Sequence, residues 1–481
     1  MKINPLIFRC YDIRGIVDKD LNVKNVEAIG KAYGTFLNRR KIRQAVAGRD
    51  CRLSGQKFKS AFIRGLISTG VNVIDLGMVM TQMVYYGQYR FQVNGGAMIT
   101  ASHNPFNYNG FKLAVGFSKT TEIEEVQEIR KYVEMENFYQ PKNIGKITKA
   151  NIKEDYFNDV LKRIKLNKKF KVVVDFRHGT PAMYVPELLR RAGCEVISKR
   201  DNIDGSFPAG TPDPTDEDFI KELAQVVIKE KADFGLGFDG DGDRIGAVDE
   251  TGRILWNDVL VAIFAKEILE RFPGSKIIYN TLCSRVVPEV VKQNNGIPII
   301  WRTGHSFIKS KIAEENAAFG GELSGHFYFN DNAYGYDDGS YAALRILEYL
   351  SDKNTTLSKL YQTFSQYHYV SSPEIKIGCP DEKKIEIIKN LSQKFKADFP
   401  NARMTDDTVI PGDDGTRADF SDGMIIFRYS QNGPYITVKF EAKDQMVYDQ
   451  RKKYVREMLK SYPEMIWEDE LCVNLDHLNK T

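Results

Sequence analysis

A chain of 481 residues is too long for one ordinary core, and length alone suggests about three domains. Its apolar content of 42%, charged content of 27% and net charge of only +4 are those of a soluble globular protein. That balance, with no long basic tract, argues against nucleic acid or an anionic membrane as main partner and favours a small anionic ligand held by local arginines and lysines. The six cysteines are scattered with no C-x-x-C pair, as in a reducing compartment. The segment Met1 to Leu6 lacks a signal-peptide apolar stretch, and no run approaches the ~18 apolar residues of a membrane span. These features predict a cytoplasmic protein.

The stretch Ile7 to Gly15 reads as a strand with a charged end, carrying Tyr11 and Arg14. Ala45 to Asp50 is a predicted strand, followed by a helix from Ser54 to Gly70, with Ser54 suited to the N-cap and Gly70 to the C-cap. Val71 to Leu76 is a strand, Thr81 to Tyr89 a helix, and Gly95 to Thr100 a buried strand. The series predicts a mainly parallel sheet with helices on both faces. An amphipathic helix from Thr120 to Met135 closes the first domain. The last strand runs into Thr100-Ala101-Ser102-His103-Asn104-Pro105, where Asn-Pro forces a turn and presents a serine hydroxyl beside a histidine.

The pattern recurs as strand Lys171 to Asp175, helix Pro181 to Gly193, strand Cys194 to Ile197, helix Asp216 to Lys229 and strand Ala232 to Phe238. A third round runs through Lys276 to Tyr279, Val286 to Asn295, Ile297 to Trp301, Ile308 to Asn316 and Ala317 to Gly321. Three copies of one unit suggest an ancient triplication. The final stretch differs, with strands at Glu374 to Ile377, Gly423 to Tyr429 and Tyr435 to Ala442, and helices at Asp381 to Lys396 and Gln445 to Tyr462. Strands beside segregated helices indicate a small α+β domain.

Each αβ round ends in a loop rich in chemistry. Asp239-Gly240-Asp241-Gly242-Asp243-Arg244 places three carboxylates at alternate positions, able to converge on one hard cation. The twelve-residue calcium loop is excluded because its sixth position demands glycine and finds Arg244, and the flanks read as strands. Gly235-x-Gly237-x-x-Gly240 imitates a dinucleotide fingerprint, but acidic residues follow where pyrophosphate would sit. Magnesium prefers a few carboxylates plus a phosphate oxygen, and a phosphorylated Ser102 would supply that oxygen. The excess negative charge then calls for cations, for which Arg244, Lys112, Arg14 and Arg49 are candidates. Gly321-Glu322-Leu323-Ser324-Gly325-His326 gathers a carboxylate, a hydroxyl and an imidazole suited to sugar hydroxyls and acid–base work. Thr303-Gly304-His305-Ser306 adds polar donors. In the last domain Arg428, Ser430 and backbone N–H groups around Gly433 are placed to form a phosphate nest. His178, His368 and His477 read as structural or exposed.

These motifs resemble the α-D-phosphohexomutases, most closely the bacterial phosphomannomutase/phosphoglucomutase branch. The likeness rests on Y-D-I-R-G (Tyr11 to Gly15), G-R-D-x-R-x-S-G (Gly48 to Gly55), T-A-S-H-N-P (Thr100 to Pro105), D-G-D-G-D-R (Asp239 to Arg244), T-G-H-S (Thr303 to Ser306) and G-E-x-S-G-H (Gly321 to His326). The resemblance implies three αβα-sandwich domains with mixed, mostly parallel sheets, at residues 1–147, 148–252 and 253–369. A fourth, α+β domain at 370–481 would resemble the TATA-binding-protein fold, all four surrounding a central cleft.

The implied activity is Mg²⁺-dependent interconversion of hexose 1-phosphate and hexose 6-phosphate, of mannose or glucose, through a phosphoserine and a hexose 1,6-bisphosphate that also serves as activator. Catalytic roles fall by resemblance on Ser102, His103, Lys112, Arg14, Arg244 and His326. Substrate binding falls on Tyr11, His305, Glu322, Ser324, His326, Arg428, Ser430, Gln431 and Asn432, and one Mg²⁺ on Ser102, Asp239, Asp241 and Asp243. The expected partner is a small hexose phosphate, not nucleic acid or membrane, and the expected assembly a monomer or homodimer. Gln431 and Asn432 depart from the family's Asn-Thr pair, and Leu282 stands where a lysine often precedes C-[ST]-R. The alternatives are a phosphoglucosamine mutase, a phosphosugar phosphatase using the same serine, or a non-catalytic binding protein.

Overall fold

The computed structural model of the chain describes residues 3–479. They form two compact units. The first runs to Pro214 and includes Gln225–Ile245 and Tyr336–Asn354; the second comprises Thr215–Ala224, Gly246–Gly335 and the chain from Thr355 onward. No helix among the described residues is long and apolar enough to cross a membrane.

The first unit opens with β1 (Asp12–Ile16), α1 (Val23–Arg39), β2 (Gln44–Arg49), α2 (Gly55–Ser68), β3 (Asn72–Met78), α3 (Thr81–Phe91) and β4 (Gly95–Ile99). There follow β5 (Tyr108–Gly116), β6 (Lys119–Thr120), α4 (Ile123–Met135) and β7 (Ile147–Lys149). The sheet order is β1-β5-β4-β2-β3-β7. The predicted β-α-β-α-β series holds for β2, β3 and β4, whose pairings are parallel. The sheet is mixed but mostly parallel, as expected: among its described strands β5 alone runs against the others, antiparallel between β4 and β1. Only the short Ser102 loop joins β4 to β5, and a parallel return needs a dozen residues or more. Apolar residues of α1, α2 and α4, among them Ile29, Phe62 and Ile129, share one core with Ala45 and Ala47 of β2. Helix α3 covers the opposite face, where Gly87 packs against Val46.

Two predicted caps fare differently. Gly70, with φ +82°, sits one residue past the C-cap Thr69, where a left-handed glycine belongs. Ser54 does not cap α2 with its side chain, because its own backbone is already helical. Its hydroxyl instead accepts from Asn109 Nδ2 at 2.7 Å.

The second αβα element set begins with α5 (Lys153–Leu161), β8 (Lys171–Asp175), α6 (Val185–Arg191), β9 (Glu195–Lys199), α7 (Glu217–Glu230) and β10 (Phe234–Phe238). Strand β8 pairs in parallel with both β9 and β10. The helix expected over Pro181 to Gly193 is broken into a 3₁₀ turn, Thr180–Met183, and α6. Pro186 has no N–H for a continuous helix and fits only in a first turn. The helix Gly339–Asp352 also belongs to this unit. Its N-cap Asp338 accepts from Tyr341 N at 2.9 Å and from the Tyr156 hydroxyl of α5 at 2.8 Å.

In the second unit, strand Lys276–Asn280 pairs in parallel with Ile297–Trp301 and with Phe319–Gly321. The latter pairs antiparallel with Phe327–Phe329. The C-terminal sheet is antiparallel throughout the described pairings, with Val370–Ser371 and Ile375–Gly378 both on Tyr435–Ala442. It continues through Gly423–Tyr429, Gly415–Phe420 and Arg403–Asp406. Helices Asp381–Asp398 and Gln445–Lys460 contribute Leu391, Phe395, Val455 and Leu459 to the core beneath it.

Candidate active site

The serine loop leaves β4 at the buried centre of the first sheet. Ser102 is a non-glycine residue with φ +49°, a sparsely populated conformation that persists only where its surroundings enforce it. Its N–H donates to Thr100 Oγ1 at 2.8 Å, and Thr100 donates in turn to Asp50 Oδ2 at 2.6 Å. From beneath, the Arg52 guanidinium donates to the carbonyls of Ser102, Asn104, Pro105 and Tyr108 at 2.6 to 3.0 Å. Arg14 reaches Asn104 Oδ1 at 2.7 Å while its Nε pairs with Asp12 at 2.8 Å. The residue after the serine, His103, lies with Nδ1 3.3 Å from Ser102 Oγ.

The acid loop leaves β10 and meets the serine directly. Ser102 Oγ donates to Asp239 Oδ2 at 2.7 Å across 137 residues of sequence. The close approach explains one glycine: a Cβ on Gly240 would lie 2.7 Å from the Ser102 carbonyl oxygen. Gly242 has φ +86°, which reverses the loop so that Asp239 Oδ1 accepts from Gly242 N and Arg244 N. Asp239, Asp241 and Asp243 are fully buried, and each offers an oxygen within 4.8 Å of the others.

Two cations offset this charge. Lys112 Nζ lies 2.8 Å from Asp241 Oδ2 and 2.5 Å from Asp243 Oδ2. Lys112 stands on β5 opposite both Asp12 and Met98, in the middle of the sheet. Arg244 Nε pairs with Asp239 Oδ2 at 3.0 Å. Burial pushes Asp239 up to about 8, aided by repulsion from Asp241 and Asp243. Burial likewise raises Asp243 to about 7, with Asp241 adding to the shift. Burial opposes ionisation of Asp241 too, but Lys112 and Thr81 outweigh it and hold that carboxyl well below the ordinary range. Burial also opposes the Lys112 charge, which Asp241 and Asp243 more than restore.

Three buried carboxyls that raise the cost of each other's charge are a set whose charge a bound cation would offset. Asp241 Oδ1 is buried with no hydrogen-bond partner among the described residues. The all-oxygen donor set suits a hard divalent ion. The residues present therefore fit a divalent-metal site.

Further candidates lie in the second unit. Glu322 Oε2 accepts from Gly304 N at 2.9 Å and Oε1 from Tyr328 Oη at 2.6 Å, tying the 321–326 loop to the 303–306 loop. The rings of His305 and His326 are 5.9 Å apart, and Ser324 on the same loop is half-buried. Each carboxylate oxygen has a second acceptor position, so these contacts leave Glu322 able to bind hydroxyls. In the last sheet, Arg428 Nε donates to Asp414 Oδ1 at 3.0 Å and Nη2 pairs with Oδ2. Gln431 Nε2 donates to the same Oδ2 at 2.7 Å, so this departure from the family pattern turns toward Asp414. Ser430 Oγ accepts from Asn432 N and Gly433 N, each at 3.1 Å, which organises the loop's N–H groups around one hydroxyl.

Three family models match the chain in succession: phosphoglucomutase/phosphomannomutase α/β/α domain I over residues 5–140, domain II over 154–252 and domain III over 256–367. The chain is 37% identical to a phosphomannomutase/phosphoglucomutase of Pseudomonas putida over 460 residues, covering 95% of this chain and 96% of the relative. It is 34% identical to a phosphoglucomutase of Neisseria gonorrhoeae, covering 96% and 98%. The chain belongs to the phosphoglucomutase/phosphomannomutase family. A solved phosphoglucomutase/phosphomannomutase family protein of Burkholderia thailandensis superposes with a TM-score of 0.85 at 31% identity, covering 96% of this chain and 98% of that one. Three αβα domains and a further C-terminal domain are the architecture of this family member.

Within that architecture the structure also differs from the expected set of cations. Arg49 donates to Gln56 Oε1 and to the Asp50 carbonyl within its own loop. Arg52, visible only as a motif letter, holds the serine loop instead. Sequence reasoning also passed over Thr81, which donates to Asp241 Oδ2 at 2.6 Å, and Asn280. Asn280 Oδ1 accepts from Leu323 N and Cys283 Sγ while its Nδ2 donates to Thr303 Oγ1. Lys384 is a further buried anchor, donating to the carbonyls of Ser430 and Gly433. Polar residues at helix starts and strand ends were the available signal, but their partners are distant in sequence.

Proposed function

We propose that this hexose phosphate mutase relays phosphate through Ser102. A phosphoryl group on Ser102 Oγ passes to the free hydroxyl of a hexose monophosphate: the Oγ–P bond breaks, an O–P bond to the sugar forms, and the sugar's hydroxyl proton passes by way of the acid–base groups to Ser102 Oγ, restoring the serine hydroxyl. The resulting hexose 1,6-bisphosphate turns over and returns its other phosphate to Ser102, leaving the isomeric monophosphate. The observation that carries this reading is the 2.7 Å contact between Ser102 Oγ and Asp239 within the converging acid cluster.

Magnesium held by Asp239, Asp241, Asp243 and a phosphoserine oxygen would supply positive charge that polarises the transferring phosphoryl group. Arg14, Arg244 and Lys112 steady charge on the transferring oxygens. Lys112, kept positively charged by the neighbouring acids, is assigned with His326 to acid–base work, and His103 completes the serine's surroundings. In the second unit, Glu322, Ser324 and His305 are assigned to sugar hydroxyls and His326 to acid–base work. Arg428, Ser430, Gln431 and Asn432 are assigned to the phosphate that is not reacting, and Tyr11 to substrate contact. Mannose and glucose phosphates are the proposed substrates, in keeping with the names of the relatives. None of the six cysteines is disulfide-bonded, which supports a cytoplasmic setting.

Intact-mass spectrometry tests the relay: an adduct of about 80 Da should be present in the wild type and absent from Ser102→Ala. A coupled assay should show isomerised sugar phosphate with little free phosphate; stoichiometric release of phosphate would make the protein a phosphatase instead.

A further inference from the structure

The two oxygens of Asp241 have different surroundings. Oδ2 accepts from Thr81 Oγ1 at 2.6 Å and from Lys112 Nζ at 2.8 Å. Oδ1 is buried with no hydrogen-bond partner among the described residues. Thr81 is the first residue of α3 and is fully buried. Its backbone N–H donates to the Asp241 carbonyl at 2.9 Å, so one residue grips this acid by both main chain and side chain. The next residue extends the grip, since Gln82 Nε2 donates to the Gly242 carbonyl at 2.9 Å.

We propose that Thr81 is a positioning residue for the divalent cation: its hydroxyl fixes the Asp241 carboxylate so that Oδ1, not Oδ2, is presented to the ion. The assignment rests on the acid loop being a cation site. Lys112 cannot set this orientation alone. Its ammonium is shared with Asp243 at 2.5 Å, and an ammonium acts as a point charge, without the single fixed donor direction of a hydroxyl on a branched side chain. A threonine is stiff at χ1, and here its backbone is pinned to the residue it orients. Outer contacts of this kind are commonly worth 10- to 100-fold in metal affinity.

The test is Mn²⁺ binding, followed by the electron paramagnetic resonance of free Mn²⁺, to full-length protein freed of phosphate and checked by intact mass. Thr81→Val keeps the branched shape and removes the donor; its Mn²⁺ Kd should rise about tenfold or more. Thr81→Ser keeps the hydroxyl and should stay within about threefold of wild type. Should Thr81→Val not fold, Thr81→Ala removes the same donor with less steric demand and carries the same expectation. A hydroxyl-less variant that melts earlier but binds Mn²⁺ like the wild type would show the contact to be structural only, and overturn the proposal. A wild type that takes up no more Mn²⁺ than Asp241→Ala would overturn the cation site itself, and the role of Thr81 with it.

Discussion

Replacing Arg52 with leucine should loosen the serine loop far more than a single substitution usually does. The guanidinium is 1% exposed and serves four carbonyl oxygens of residues 102–108. Its Nε also lies 3.2 Å from Asp50 Oδ2. Leucine would leave Asp50 as a buried carboxylate without its cation, a loss of about 3–5 kcal/mol when one partner of a buried pair is removed. Each orphaned carbonyl adds up to about 1–3 kcal/mol before water or relaxation offsets it. We take about 3–5 kcal/mol as the net fall in the free energy of local opening. At 1.4 kcal/mol per decade, exchange of the loop amides should accelerate between about a hundredfold and a few thousandfold. Hydrogen exchange of peptides spanning β4 to β5 reads this without requiring the whole chain to unfold in one step. The Ser102, Asn104 and Tyr108 amides, bonded to Thr100, Ala101 and Pro105, are the reporters. Arg52→Lys keeps the charge but cannot serve four carbonyls, and should fall between. Acceleration of less than about tenfold in Arg52→Leu would refute the view that this guanidinium holds the loop.

Asp241→Ala should lower kcat far more than it raises KM, since the acid cluster acts on the transferring group; equal losses in steady-state assays would make the loop a mere scaffold. Asn280→Ala should raise KM for the sugar phosphate by about tenfold through loosening of the 303–306 and 321–326 loops, while Asn280→Asp, which keeps an acceptor, should recover most of it. Burial raises Asp338 to about 6, above its unfolded value, so its contribution to stability is present at low pH and fades as pH rises through 6. Thermal melts should therefore show Asp338→Asn gaining on the wild type by about 1–2 kcal/mol between pH 5 and pH 7.5, and a pH-independent difference would contradict the shift.

The serine and acid loops were legible because self-repelling carboxylates and a hydroxyl before Asn-Pro make little sense without a charged partner. Arg52, Thr81 and Asn280 were not, because each acts on a backbone carbonyl or on another side chain far off in sequence. Helix α1 was missed although Val26, Ile29, Tyr33 and Phe36 follow a helical period. Gly30 interrupts the pattern, but the structure needs it: a Cβ there would lie 2.2 Å from the Phe62 carbonyl oxygen of α2. The helix Asn257–Arg271 is buried on nearly every side, so it lacks the one-sided stripe by which a surface helix declares itself. Strand β5 was hidden by glycines and by a lysine at its centre, Lys112, whose burial only the acids of a distant loop can explain.

The helix Gly339–Asp352 belongs to the first unit, yet it is encoded roughly a hundred residues after Ile245. During synthesis at about 5–20 residues per second, the first unit must wait about 5–20 s with the Tyr156 hydroxyl unmet by Asp338. The nascent enzyme can therefore gather its nucleophile and acids early, but it cannot finish the body that carries them until the ribosome has passed most of the third αβα domain.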